Sequence, residues 1–149
     1  MDISKELEKR YIRKKEFYNG TSSRKDQFLI YNRVFLIKPN VIYVYELPLV
    51  TEYSIKIMSA KVFELLEQSG RPGIVIDISE SKIPSPKIRH LLMKLYRGIK
   101  VSIMVLYTGK NILINIPVRF IAASIMGNKN FQVVENREEA IEIARNESR

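Results

Sequence analysis

Two hydrophobic periods alternate along this chain. From residue 28 onward, short runs dense in β-branched and aromatic residues are separated by stretches in which apolar positions recur every three or four residues. Val34-Phe35-Leu36-Ile37 and Val41-Ile42-Tyr43-Val44-Tyr45 belong to the first kind, and Lys38-Pro39-Asn40 between them supplies a turn, so the pair predicts a β-hairpin. Phe28–Tyr31 reads as an extension of its first strand, and Pro48 stops the second. Thr51 then offers a helix N-cap with Glu52 in the first turn. Ile55, Met58, Val62, Leu65 and Leu66 carry a helical stripe as far as Gly70. A strand over Ile74–Ile78 follows, with Asp77 at its end. Ser85-Pro86 opens a second helix that runs to Arg97, because serine caps well and proline is favoured at the first helical position. Val101–Tyr107 is almost wholly apolar, as a central strand covered on both faces would be. An apolar helix over Ile116–Met126, a short strand over Phe131–Val134 and a terminal helix over Glu138–Arg145 complete the pattern.

The resulting order, ββαβαβαβα, predicts an α/β fold. Hairpin strands pair antiparallel, and strands joined through helices pair parallel by right-handed crossovers, which makes a mixed sheet with helices packed on it. Ahead of it, residues 1–27 read as a basic N-terminal extension, helical in its first part, with Ile3, Leu7, Tyr11 and Tyr18 on a broken stripe. Asn19-Gly20-Thr21-Ser22-Ser23 reads as a linker. The remaining residues, 28–149, form the main domain.

Composition narrows the chemistry. The chain has no cysteine, which excludes disulfides, a thiolate nucleophile and cysteine-ligated metal sites, and fits a reducing cytoplasm. The opening MDISKELEKRYIRKK lacks the apolar core of a secretory signal, and no run reaches the roughly 18 apolar residues of a membrane span. Charge changes the picture more. The net +9 arises from 25 Lys and Arg against 16 Asp and Glu, and it is unevenly placed. Between Glu80 and Glu135 there is no acidic residue, yet there are nine basic ones: Lys82, Lys87, Arg89, Lys94, Arg97, Lys100, Lys110, Arg119 and Lys129. A positive potential on one side favours an acidic protein partner or an anionic membrane surface. Nucleic acid fits less well, since Tyr96 is the only aromatic residue near the basic helix.

The hairpin YNRVFLIKPNVIYVYE, the helix VTEYSIKIMSAKVFELLE, the strand VIDIS, the turn IPSPKIRHLL and the ending NFQVVENREEAIEIA stand in an order that resembles the STAS domain (sulphate transporter and anti-sigma-factor antagonist) over residues 31–146, particularly its stand-alone bacterial SpoIIAA-like members. The resemblance implies a non-enzymatic regulatory module that binds a kinase or other regulator. In the family, a serine at the start of the helix after the third strand is phosphorylated. Ser85 occupies that place, with Pro84, Pro86 and Lys87 where the family's turn carries aspartate, a second serine and glycine.

The candidate site residues follow from these readings. Ser85 is the candidate phosphorylation site, because a phosphoryl group at a helix N-terminus meets exposed amides and the positive end of the dipole. Asp77, Ser81, Lys87, Arg89, His90, Lys94 and Arg97 are candidates for binding a partner or an anion. Phe120 and Ile125 are candidates for an apolar interface, because the helix that carries them is apolar nearly all round. His90 is the only histidine, and no serine–histidine–acid set or paired carboxylates accompany it, so catalysis, a metal and a cofactor are not expected. The expected function is a cytoplasmic protein-interaction module, with self-association as one form of it. The alternative is a peripheral membrane or lipid-binding module that uses the basic 82–129 region.

Overall fold

The computed structural model describes residues 2–11, 24–111 and 131–148. The described elements are α1 (Ile3–Lys9), α2 (Arg24–Tyr31), β1 (Val34–Ile37), β2 (Val41–Tyr45), α3 (Glu52–Ser69), β3 (Gly73–Asp77), α4 (Pro86–Gly98), β4 (Ile103–Tyr107), β5 (Phe131–Val134) and α5 (Arg137–Glu147). The expected Ile116–Met126 helix and the Asn19–Ser23 linker lie outside the described residues.

The chain is α/β, with one five-stranded mixed sheet in the order β1-β2-β3-β4-β5. The β1–β2 hairpin is antiparallel, and the other three pairs are parallel. Strand order in space therefore repeats strand order in the chain. In open α/β sheets, the ligand crevice forms where strand order reverses. Among the described strands there is no such reversal.

Alternation within the strands sends side chains to two faces, and each carries a buried apolar cluster. On one, Ile42, Val44, Ile74, Ile76 and Met104 meet Met58, Val62 and Leu65 of α3 and Ile30 of α2. On the other, Val41, Tyr43, Val75, Ile103 and Val105 meet Ala140, Ile141 and Ala144 of α5 and Leu7 of α1. The small residues of α5 allow a close approach. A side chain at Gly73 would place its Cβ 2.2 Å from the Ala144 carbonyl oxygen, so only glycine lets α5 lie against β3.

Local chemistry starts and stops the helices. Thr51 caps α3 in a reciprocal capping box with Ser54, at 3.1 and 3.0 Å. Gly70 ends α3 with φ at 67°, a left-handed conformation that glycine adopts freely. Asn136 caps α5, accepting from the Glu139 amide at 2.9 Å.

One expectation is corrected. Phe28–Tyr31 does not extend β1; it is the last turn of α2. Arg, Lys, Gln and Leu are good helix formers, and in a helix Ile30 turns inward, fully buried, with Leu29 packed at the core's margin. Tertiary packing thus overrides the strand preference of Phe, Ile and Tyr. The division drawn between residues 27 and 28 falls inside this helix.

Candidate functional site

The carboxyl ends of β2, β3 and β4 line up in register, with Tyr45 beside Asp77 and Asp77 beside Tyr107. All three side chains turn to the α5 face. Asp77 is fully buried there and fully occupied. Its Oδ2 accepts from the Tyr43 hydroxyl at 2.5 Å. Its Oδ1 accepts from the Ser79 amide at 3.0 Å and from the Ser79 hydroxyl at 2.6 Å. From α5, Arg137 reaches to 3.8 Å of Oδ2, donates through Nε to the Tyr43 oxygen at 3.1 Å, and lies 5.0 Å from the centre of the Tyr107 ring. Burial first, and then the charge of Asp77, pushes the Tyr43 phenol far up, so that hydroxyl acts as a donor. Burial disfavours the Arg137 charge, but Tyr43 and Asp77 outweigh it and hold the guanidinium above its ordinary value.

Beside this cluster, the Tyr45 hydroxyl donates to Glu80 at 2.7 Å, and burial followed by that bond raises its phenol. Arg33, fully buried just before β1, stacks 3.8 Å over the Tyr45 ring. It donates to the main-chain carbonyls of Tyr45, Glu46 and Arg10 at 2.8 to 2.9 Å. A buried guanidinium thus ties α1 to the sheet end. Glu46, the next residue, is buried with Oε2 unpartnered, and burial pushes its carboxyl up to about 7 against the pull of Arg33.

The loop after β3 leads to α4. Ser81 is buried, and its hydroxyl donates to the Leu47 carbonyl at 2.9 Å, so it holds the loop. Ser85 is exposed and caps α4, accepting from the Ile88 amide at 3.4 Å, with Pro86 in the first turn. Lys87, His90, Lys94 and Arg97 share one exposed side of α4. Lys87 pairs with Glu52 of α3 at 3.3 Å, both side chains in solvent. Arg89 departs from that set. It is half-buried, and its Nε is shielded without a hydrogen-bond partner. No residue of α4 is fully buried; the helix packs beside α3, with Leu95 and Tyr96 at the core's margin.

The structure therefore separates the expected residues into two groups. Asp77 and Ser81 are built into the sheet end and its loop, while Ser85, Lys87, His90, Lys94 and Arg97 form an outward-facing basic surface. Phe120 and Ile125 lie outside the described residues. Sequence reasoning missed Tyr43, Tyr45, Glu80, Arg137, Arg33 and Glu46. A trace of the first two was present, since alternation in β2 puts Tyr43 and Tyr45 on one face. Arg137 lies 94 residues from Tyr43, and nothing in the sequence joins them.

Among the described residues, no group of three or more His, Cys, Asp or Glu side chains is placed to hold a metal, and no helix is long and apolar enough to cross a membrane. Compared with protein-family models, with curated proteins and with solved structures, the chain finds no match.

Proposed function

We propose that the protein is a non-enzymatic regulatory module of the STAS type, which binds an acidic protein partner through the start and the basic side of α4. The observation that carries this reading is the contrast between the two polar groups. Asp77, Tyr43, Ser79, Ser81, Tyr45 and Glu80 spend their hydrogen bonds on one another or on the main chain. Lys87, His90, Lys94 and Arg97 face solvent together. The first group braces the sheet end, and the second gives a partner a charged surface to recognise. The five-stranded mixed sheet is compatible with the resemblance.

Ser85 supplies a means of control. Its hydroxyl is exposed at the α4 N-terminus, where a phosphoryl group adds about −2 charge beside Lys87 and the helix amides. That charge offsets the basic surface and releases an acidic partner. The test is intact mass and peptide mapping across residues 78–89 of protein from its native host, with crosslinking of the wild type and Lys94→Glu. A partner that crosslinks through α4, and is lost in Lys94→Glu, supports the reading. A protein that stays monomeric and crosslinks to nothing overturns it. Co-sedimentation with anionic liposomes that Lys94→Glu abolishes replaces the protein partner with a membrane surface.

A further inference from the structure

On the side of the molecule formed by the seam of α2 and α3 lies a groove of ≈ 530 Å³. Ligand sites fall at about 300–1,000 Å³, with apolar walls and a few convergent polar groups. The apolar walls here are Phe28 and Tyr31 from α2 and Tyr53 and Ile57 from α3. Arg24 and Lys56 supply the charge, and no carboxylate lines the groove among the described residues.

Three further observations set its chemistry. Phe28 is 63% exposed, the most exposed large apolar side chain among the described residues, so apolar surface is left in water at the groove. Of the acids on the two helices, Glu64 accepts from the Tyr31 hydroxyl and Glu52 pairs with Lys87, and Lys61 sits 4.2 Å over the Tyr31 ring. Neither Arg24 nor Lys56 forms an ion pair among the described residues. Tyr53 has its hydroxyl shielded from water without a hydrogen-bond partner, so its phenol serves here as an apolar wall.

We propose that this groove binds a small soluble aromatic carboxylate. The ligand's ring packs among Phe28, Tyr53 and Ile57, and its carboxylate is held by Arg24 and Lys56. Rings favour rings through offset and edge contacts beyond the area they bury. A carboxylate bonded to arginine and lysine makes charge-assisted hydrogen bonds, stronger than neutral ones. The set shares no residue with the α4 surface, so the two proposals stand or fall separately.

The test is calorimetric titration of the full chain with 2-naphthoate, with 2-naphthalenemethanol and decanoate as comparison ligands, and with amide shifts followed by NMR. The expected result is one-to-one binding of 2-naphthoate that shifts α2 and α3 amides. Lys56→Glu weakens it by about tenfold or more, since one charge-assisted contact is lost and a repulsive charge added, and the neutral alcohol, which loses both such contacts, weakens it at least as much. Phe28→Ser weakens it several-fold, and Lys94→Glu leaves it unchanged. Lys56 and Phe28 are exposed, so these variants keep the fold, which far-UV circular dichroism verifies. Equal affinity for acid and alcohol, no effect of Lys56→Glu, or no binding at about 1 mM overturns the proposal. Decanoate binding more tightly than 2-naphthoate also overturns it, in favour of a lipid.

Discussion

Under α3 the sheet presents Ile42, Val44, Ile74, Ile76 and Met104, side chains that bond to nothing and fit by shape alone. Under α5 it presents Tyr43, Tyr45, Asp77 and Tyr107, and there Arg137 and Ser79 close a hydrogen-bonded cluster over a fully buried carboxylate. The first face tolerates exchange of one aliphatic side chain for another of similar volume. The second does not, because every partner removed strands a buried donor or acceptor. Two helices on one sheet are therefore held by different physics, one by volume and the other by bonding and close approach.

The largest expected effect is on the bonded face. Asp77→Ala leaves Tyr43 without its acceptor and Arg137 without its anion, and costs about 4 kcal/mol in urea unfolding. Val62→Ala, under α3, costs about 2 kcal/mol. If Val62→Ala proves the more costly, the cluster does not hold α5. Gly73→Val comes next. Its Cβ meets the Ala144 carbonyl, so α5 must lift, at about 3 kcal/mol. Gly98→Ala on α4 is the contrast: nothing lies within 4 Å of its Cβ, and the change stabilises by about 0.5 kcal/mol.

Glu46 sharpens the comparison from the other side. Following Tyr45, it turns toward the apolar face, where its charge adds to burial in raising the Tyr96 phenol of α4. Burial lifts its carboxyl from 4.5 to about 7, with Arg33 opposing and Asp77 adding. The folded state holds this proton more tightly than the unfolded chain does. Its contribution is fully present below pH 4.5 and is lost as pH rises through about 7. Glu46→Gln stays neutral throughout, so it unfolds with the wild type near pH 4 and is more stable by about 3 kcal/mol near pH 8. Equal differences at both values would remove the buried acid from the account. An effect as small as that of Gly98→Ala, but of opposite sign, is expected for Ser85→Ala. Its 3.4 Å bond to the Ile88 amide is long, and losing it costs about 0.5 kcal/mol by thermal unfolding.

What could be read from the sequence was what local rules decide. The hairpin around Pro39, the Thr51 cap, the Ser85-Pro86 start of α4 and the β5 strand each carry their signal within a few residues. The exposed side of α4 was legible for the same reason, since spacing alone puts Lys87, His90, Lys94 and Arg97 together. Phe28–Tyr31 misled because its composition favours a strand while its place against α3 decides for a helix. The bonded cluster was not legible. Tyr43 and Asp77 are 34 residues apart, and their meeting depends on the β2–β3 register. Arg33 gave no sign of burial, because a lone arginine before a strand reads as solvated. Only the fold supplies its three carbonyls.

The unreversed strand order also shapes how the molecule comes into being. Each strand from β2 onward pairs with the one made just before it, so a chain leaving the ribosome can extend its sheet outward without waiting for a later segment. The α3 face assembles within that process, since α3 lies between the strands it covers. The tyrosine face does not. Val75, Val105 and the Asp77 cluster are covered by α5, made last of the described elements, which folds back from the β5 edge across β4 and β3. Arrival of Arg137 and Ala144 is the event that turns a growing sheet into a finished one.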